Sequence, residues 1–329
     1  MDQILGGNQP VAELEGDQDR AGGVARGPFW QIAKAVRSNR KAMVGVCVLS
    51  VFVVAAIIPN VIAPYSPDAE IFTPSAAASW AHLLGTTAYG QDVFSQLVWG
   101  TGQSLEIGFF VGALATLVSV LIGIGSAYIG GLTDAGLSFV TDIFLVIPTF
   151  PLIVVLAAYD RNGGTALMVA VLTVTGWAYG ARVLRAQALS LRTRDFLEAA
   201  RARGEGTWHV IVAEMLPNMT SLIVANFLGA AVYGILAAAG LQFVGLGDTA
   251  SWSWGTMLYW SENSTALQSG SPLWALMPGL CIAMVGGSLS LLNYAFDEIS
   301  NPALRMRTVR ARRRGQPVKG APSGSRGER

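Results

Sequence analysis

The side chains that most often carry out chemistry in proteins are scarce in this sequence and lie far apart. The two histidines are His82 and His209, and the two cysteines, Cys47 and Cys281, each lie within an apolar stretch. A metal site needs three or four such ligands together, and a covalent mechanism needs a base beside its nucleophile. We therefore expect no catalytic, cofactor-binding or metal-binding residues in this chain, and no enzymatic activity.

The sequence also lacks a nucleotide-binding loop. The pattern of that loop, Gly-x-x-x-x-Gly-Lys-Ser/Thr, holds phosphate groups with backbone amides and with the lysine. The three lysines are Lys34, Lys41 and Lys319, and none of them completes this pattern. If ATP drives the work of this protein, another chain or domain must bind ATP and its magnesium ion.

The composition is that of a protein embedded in a bilayer and surrounded by lipid. Hydrophobic residues make up 52% of the chain and charged residues 13%, whereas soluble domains carry about a quarter charged residues. The net charge of +1 gives a nucleic-acid partner no electrostatic support. A membrane-spanning helix needs about 20 mostly apolar residues. Six stretches qualify, which predicts an all-α protein with six transmembrane helices at 42–63, 105–130, 139–159, 166–181, 219–246 and 273–296.

Basic residues are sorted to one side of these six predicted helices. They cluster before the first helix up to Lys41, after the fourth helix at 182–203, and after the sixth helix at 305–314. Six crossings place all three clusters on the same side, which leaves only Arg161 on the other. Because Lys and Arg concentrate in cytoplasmic loops, we expect both termini and the 182–218 loop to be cytoplasmic.

The six helices divide the chain into segments with different expected roles. We expect a partly disordered cytoplasmic segment at 1–41, a first transmembrane helix at 42–63, an external loop at 64–103, a main transmembrane domain at 104–296 and a basic cytoplasmic tail at 297–329. A second external loop, 247–272, contains Trp252, Trp254 and Trp260. A belt of tryptophans at the membrane interface is the favoured interpretation, and a docking face for a partner is the alternative.

The long cytoplasmic loop at 182–218 reads as two short helices. Asp195 and Glu198 have the spacing of a capping box, in which Asp195 caps the new helix. Gly204 is placed to end that helix in a left-handed conformation. A second helix is expected to start near Thr207 and to stop before Pro217, because proline disfavours helix in the residue before it.

The first of these short helices has the composition of a docking surface. Ala199, Ala200 and Ala202 leave one part of it nearly bare, which permits close approach of a partner. Arg201 and Arg203, together with Glu198, would fix the register of that partner around the rim. A solvated amphipathic loop accounts for the same residues equally well, so the physical argument by itself leaves both interpretations open.

A family resemblance favours docking. EAARARG at 198–204, followed by EGTWHVIVAEMLPN at 205–218, resembles the EAA loop of binding-protein-dependent ABC importer permeases, although Glu214 stands where isoleucine is usual. The resemblance implies a type I ABC importer transmembrane domain whose loop docks into a groove of the ATPase. The implied ATPase-coupling residues are Glu198, Ala199, Ala200, Arg201, Arg203 and Gly204.

Other stretches resemble the second permease of dipeptide and oligopeptide importers. They include LGTTAYGQDVFSQLVWG at 84–100, in which Thr87, Gln91 and Gln96 replace the usual Asp and two Arg, and FDEISNPALR at 296–305. The resemblance implies import of peptides across a bacterial cytoplasmic (inner) membrane, with oligosaccharides or nickel chelates as alternative cargoes. The implied partners are a second homologous permease subunit, two ABC ATPase subunits or domains, and an external solute-binding protein.

Residues inside the predicted helices bear on the pore and on rival functions. Pro148 and Pro151 should kink the third helix, and a kinked helix is a candidate pore liner. Apart from Glu106 at the very start of the second span, Asp142 is the one carboxylate placed within a predicted span. An ion-coupled secondary transporter usually places several ionisable groups near the membrane midplane. Asp142 is therefore interpreted as an inter-helix hydrogen-bonding or interfacial residue. Polar pore candidates are Thr149, Thr173, Thr175, Asn226 and Gln242.

Overall fold

The computed structural model describes residues 39–158 and 164–300, and in these ranges the chain is almost entirely helical. In chain order, the helices of the first half are α1 (Arg40–Ile57), α2 (Pro59–Ile62), α3 (Val93–Ser119), α4 (Gly125–Ile129), α5 (Gly131–Val146) and α6 (Thr149–Ala158). Those of the second half are α7 (Gly164–Arg192), α8 (Asp195–Ala202), α9 (Thr207–His209), α10 (Leu216–Phe243), α11 (Trp254–Asn263) and α12 (Pro272–Ser300). Two π-helical segments, Val120–Ile124 and Val210–Met215, join α3 to α4 and α9 to α10.

The number of candidate spans is five or six, a range that includes the six predicted from the sequence. Within the described ranges, five helices are long and apolar enough to cross a membrane, and the pair α5–α6 makes a sixth if it counts as one bent span. The helices at Val93–Ile129 and Thr207–Phe243 each contain 37 residues. At 1.5 Å per residue each is about 55 Å long, so each extends well beyond a bilayer core of roughly 30 Å.

Several predicted boundaries were too short because hydropathy marks only the apolar part of a helix. The span expected from residue 105 begins at Val93, where the Asp92 carboxylate accepts a hydrogen bond from the Ser95 amide at 2.8 Å. Residues 93–103 are therefore helix and not loop. The fourth span continues past residue 181 to Arg192. As a result, only residues 193–206 separate the two long helices that the 182–218 loop was expected to connect.

The expected helix stop before Pro217 was wrong. Pro217 lies in the first turn of α10, which continues directly from the π-helical segment Val210–Met215. A π-turn shifts the hydrogen-bond register by one residue, which accommodates a residue that lacks an amide hydrogen. The Asn218 side-chain amide donates to the Glu214 carbonyl at 2.6 Å within this irregular turn. The fifth span and the segment before it therefore form one continuous rod.

Helix α10 is the central element of the bundle and packs against α3, α7 and α12. Its contact with α3 is close because both helices present glycine. A Cβ atom on Gly234 would lie 2.8 Å from Val111 Cβ, and one on Gly112 would lie 3.0 Å from Ala231 Cβ. Small residues allow close backbone approach where lipid supplies no hydrophobic driving force.

The tryptophan belt predicted for the 247–272 segment is wrong for Trp254, whereas Trp252 and Trp260 are half-buried. Trp254 is fully buried in the core, packs edge-on against Phe52 at 5.6 Å, and donates its indole N–H to the Leu97 carbonyl at 3.3 Å. The indole groups of Trp252 and Trp260 donate to Asp68 Oδ1 and to the Thr249 carbonyl. These bonds satisfy the polar atom of each ring, so tertiary contacts within the chain orient all three rings.

Candidate coupling segment and translocation cavity

Helix α8 begins in a way that the sequence did not predict. Its N-cap residue is Arg194, which has extended backbone angles and makes no side-chain capping bond, while Asp195 is already the first helical residue. The expected capping by Asp195 was therefore wrong. Asp195 and Glu198 lie instead in the first turn, where carboxylates interact favourably with the positive end of the helix dipole.

The end of α8 is a glycine-dependent turn, as predicted. Gly204 has a φ of +78°. Its amide donates to the Arg201 carbonyl at 2.9 Å, and the Glu205 amide donates to the Ala200 carbonyl at 3.3 Å. These two bonds form a Schellman motif. A Cβ atom on Gly204 would meet nothing within 4 Å, so the backbone conformation, and not a lack of space, is what requires glycine here.

Two side chains anchor α8 to the membrane-spanning helices. Leu197 and Ala200 are completely buried in one cluster with Leu184 of α7, Ile124 of the first π-helical segment and Met215 of the second. The expectation that all three alanines form a bare face is therefore wrong for Ala200. The opposite face of α8 is exposed and carries Glu198, Ala199, Arg201 and Ala202.

The charged residues of the α8 segment contact their own chain to different extents. The Arg201 guanidinium carbon lies 5.1 Å from the centroid of the Tyr128 ring in α4, and Arg203 pairs with Glu205 at 2.6 Å. The carboxylate of Glu198 has no hydrogen bond or ion pair with any residue in 39–158 or 164–300. The same holds for the exposed carboxylate of Asp195, so both acidic residues of this helix are available to a partner.

The third span is broken and not merely kinked. Helices α5 and α6 meet at 87° across a short break that contains Pro148, and Pro151 lies in the first turn of α6. The Pro148 carbonyl accepts the Leu152 amide at 3.2 Å. Proline is tolerated at both positions because the residues at the start of a helix have no intrahelical acceptor for their amides.

Two ion pairs join α5 to α7. Asp142 pairs with Arg182, and both carboxylate oxygens of Asp134 accept hydrogen bonds from Arg185 at 2.7 Å. Asp142 thus forms the inter-helix contact expected for it. A carboxylate already paired with arginine is a poor candidate for a mobile proton or sodium site, so this pair weighs against ion-coupled transport.

A cavity of about 430 Å³ lies between the α5–α6 break and helices α7, α10 and α12. Thr175 and Tyr233 join their hydroxyl groups at 2.9 Å in its wall, and Asn226 and Asn293 also contribute polar groups. The lining residues, which include Thr149, carry no charge. The cavity is therefore uncharged and mostly apolar, with a few polar groups and several aromatic rings.

The sequence-based pore candidates are distributed unevenly around this cavity. Thr149, Thr175 and Asn226 line it, whereas Gln242 is buried and accepts a hydrogen bond from Ser253. Pro148, Pro151, Asp142 and Thr173 are not among the lining residues. Sequence reasoning missed Tyr233 and Asn293, which could have been found as polar residues inside apolar helices.

Comparisons with known proteins agree with this architecture. Residues 119–306 match the family described as the binding-protein-dependent transport system inner membrane component, and residues 28–80 match the N-terminal transmembrane domain of oligopeptide transport permease C. The chain belongs to this family of transport permeases, whose membrane domain is that of type I ABC importers. With five or six spanning helices, it is a multi-pass protein of the bacterial inner membrane.

Individual relatives give the same assignment. The chain is 30% identical over 273 residues to the oligopeptide transport system permease protein OppC of Mycobacterium tuberculosis. The aligned region covers 81% of this chain and 92% of that relative. The chain is also 30% identical over 285 residues to the dipeptide transport system permease protein DppC of Alkalihalophilus pseudofirmus, covering 84% and 91%. Both are thus similar to this chain over nearly their whole length.

Proposed function

We propose that this chain forms one half of the translocation pore of an ATP-driven peptide importer and carries out no catalysis itself. The observation that carries the proposal is the geometry of α8. Its buried face is fixed to the ends of the long helices through Leu197 and Ala200, while its opposite face is exposed. A helix held in this way can receive a push from a partner and pass it to the spans.

The orientation of the chain follows from where its basic residues lie. Arg182, Arg185 and Arg192 are on the last turns of α7, next to α8, and Arg40 begins α1. The positive-inside rule places this end of the bundle in the cytoplasm, and with it the two termini. The termini and Arg161 lie outside the described residues, so their orientation rests on this rule.

Two helices run from the residues that pack against α8 to the cavity, which supports a mechanical connection between them. Leu184 of helix α7 packs in the buried cluster that contains Leu197 and Ala200 of α8, and Thr175 of the same helix lines the cavity. In the continuous helical rod Thr207–Phe243, Met215 packs in the same cluster and Tyr233 lines the cavity. Movement of α8 by an ATPase groove would therefore tilt two cavity walls together, which is the basis of alternating access in our proposal.

Three kinds of partner complete this machine. A second homologous permease subunit supplies the other half of the pore, two ABC ATPase subunits or domains bind ATP and magnesium, and an external solute-binding protein delivers the cargo. The relatives are named for oligopeptide and dipeptide transport, which supports a peptide cargo. An uncharged, mostly apolar cavity with a few polar groups and aromatic rings also suits peptides of varied sequence, because it offers some hydrogen bonds without selecting a charge.

The test is uptake into proteoliposomes that contain the chain with its cognate permease, ATPases and binding protein. We expect peptide uptake that requires internal ATP and is unaffected by collapse of the proton and sodium gradients. A labelled oligosaccharide and a nickel chelate serve as alternative cargoes. Gradient-driven uptake without the ATPases would overturn the proposed mechanism, and uptake of only an alternative cargo would overturn the peptide assignment.

A further inference from the structure

A second cavity, of about 320 Å³, lies at the end of the bundle opposite α8. It is formed by the 63–92 segment, the 244–253 segment and helix α11, and Trp274 closes it from α12. The side chains that matter for its chemistry are Glu70, Tyr89, Trp252, Trp260 and Trp274. The helical rod Val93–Ile129, about 55 Å long, runs from this end toward α8, so the cavity is distinct from the coupling segment.

The aromatic rings of this cavity are held in place by their neighbours. Tyr89 packs edge-on against Trp260 at 6.1 Å and against Trp274 at 6.4 Å. The indole groups of Trp252 and Trp260 are tied to Asp68 and to the Thr249 carbonyl, at 3.1 and 3.0 Å. With their polar edges engaged, these rings contribute rigid aromatic surface to the wall. Such surface attracts cations through the negative potential of the ring faces.

The charge in the cavity is negative and has no opposing charge in the wall. One Glu70 carboxylate oxygen accepts a hydrogen bond from Gln91 at 3.0 Å, and Gln91 in turn accepts from Gln96 at 2.6 Å. Both glutamines are buried. The sequence has no Lys or Arg in 42–160 or 204–304, the ranges that contain every wall residue. The glutamine pair therefore positions the exposed carboxylate of Glu70 without neutralising it.

An unpaired polar atom completes the set of observations. Trp274 is 1% exposed, and its indole nitrogen has no hydrogen-bond acceptor in the described part of the chain. Leaving a buried donor unpaired costs about 1–3 kcal/mol. A ligand that carries an acceptor next to a positive charge would suit this wall once the ring shifts toward it.

We propose that this cavity is a binding site for the free amino terminus of a peptide, in which Glu70 and the aromatic rings hold the ammonium group. The proposal rests on the proposed function, since it assigns an entry site to a peptide importer. The terminal residue of a peptide combines an ammonium group with an adjacent carbonyl acceptor. A volume of about 320 Å³ is at the lower end of small-molecule sites, which suits one or two residues and not a longer segment.

The experiment measures equilibrium binding of radiolabelled alanyl-alanine amide to the complete transporter in nanodiscs, without binding protein and without ATP. Its N-acetylated form is the comparison ligand, since acetylation removes the positive charge and adds only a small acetyl group. We expect the free amine to bind about tenfold more tightly than the acetylated form, from a charged contact combined with cation–π attraction. E70Q should abolish this difference while retaining an acceptor for Gln91.

Two matched variants separate the site from general surface effects. E262Q removes an exposed carboxylate from α11 outside the cavity, and W80L removes a ring that is 98% exposed and does not line the cavity. Both should bind the peptide as the unmodified complex does, whereas W252L should weaken the free amine several-fold. Equal affinities for the two ligands, or equal effects of E70Q and E262Q, would overturn the proposal.

The remaining outcomes distinguish a peptide site from a contact site for the solute-binding protein. If E70Q weakens docking of the binding protein but leaves peptide binding unchanged, the cavity holds a cationic side chain of that protein and the proposal is wrong. The assay requires neither hydrolysis nor uptake. Loss of coupled uptake in the unmodified complex would therefore contradict the proposed function alone, and uptake that is independent of Glu70 would contradict this site alone.

Discussion

Substitution of Gly204 by valine perturbs the coupling segment through backbone conformation alone. At a φ of +78° a side chain other than glycine costs roughly 1–2 kcal/mol, and a β-branched residue lies at the upper end of that range. Outside the adjacent residues, no atom lies within 4 Å of the position that a Cβ would occupy, so the Cβ itself adds no steric clash to this cost. The turn can relax only by giving up its two closing hydrogen bonds, to the Arg201 and Ala200 carbonyls.

This conformational cost is large enough to fray the last turn of α8 but too small to unfold the protein. A cost of about 1.4 kcal/mol lowers tenfold the ratio of molecules in which the last turn of α8 is formed to molecules in which it is frayed. Leu197 and Ala200 remain buried, so the anchor of α8 should persist while its exposed end loses its fixed position. In proteoliposomes that contain the complete transporter, we expect G204V to retain ATP hydrolysis and to transport several-fold less peptide per ATP hydrolysed.

Gly206 supplies the matched control. It lies two residues further on, has a φ of −66° and a ψ of 150°, and also has open space around its Cβ position. Valine adopts these angles without strain, so G206V should keep the ratio of transport to hydrolysis of the unmodified complex. If G204V and G206V behave alike, or if G204V transports normally, the left-handed turn is not what couples α8 to the ATPase.

Three further predictions address the anchor, the orientation and the cavity. Truncation of the buried Leu197 to alanine should cost about 2–5 kcal/mol and lower the Tm of the purified complex, while F196A, at a partly exposed neighbour, should change it much less. Cysteine at Ala199 should react with a membrane-impermeant maleimide only after cells are opened, whereas cysteine at Glu262 should react in intact cells; the reverse pattern would contradict the proposed orientation. Tyr233→Phe removes the hydroxyl that contacts Thr175 and should raise the KM for peptide uptake two- to fivefold at unchanged basal ATP hydrolysis; an unchanged KM would exclude the cavity from the path.

Features encoded in local sequence could be predicted before the structure was known. Apolar stretches long enough to cross a bilayer mark the spans, since hydropathy and length are properties of the chain itself. The left-handed turn at Gly204 was predictable for a similar reason, because few residues other than glycine adopt that conformation. The break at Pro148 follows from the missing amide hydrogen of proline.

The predictions that failed depended on what another part of the chain supplies. Asp195 has the composition of a cap, yet the helix starts one residue earlier. Pro217 should end a helix, but the preceding π-turn absorbs the irregularity. Trp254 has the composition of an interfacial residue, yet the Leu97 carbonyl satisfies its indole and allows full burial.

By itself, the sequence determined that the chain crosses the membrane several times, where its basic residues are sorted and where a left-handed turn must lie. Only the tertiary structure decided that Ala200 is buried while Ala199 is exposed, and that Thr175 and Tyr233 meet in one cavity. The physical reason is that hydropathy and backbone preference act within a few residues of the chain. Burial and side-chain pairing depend on residues that become neighbours only when the helices pack.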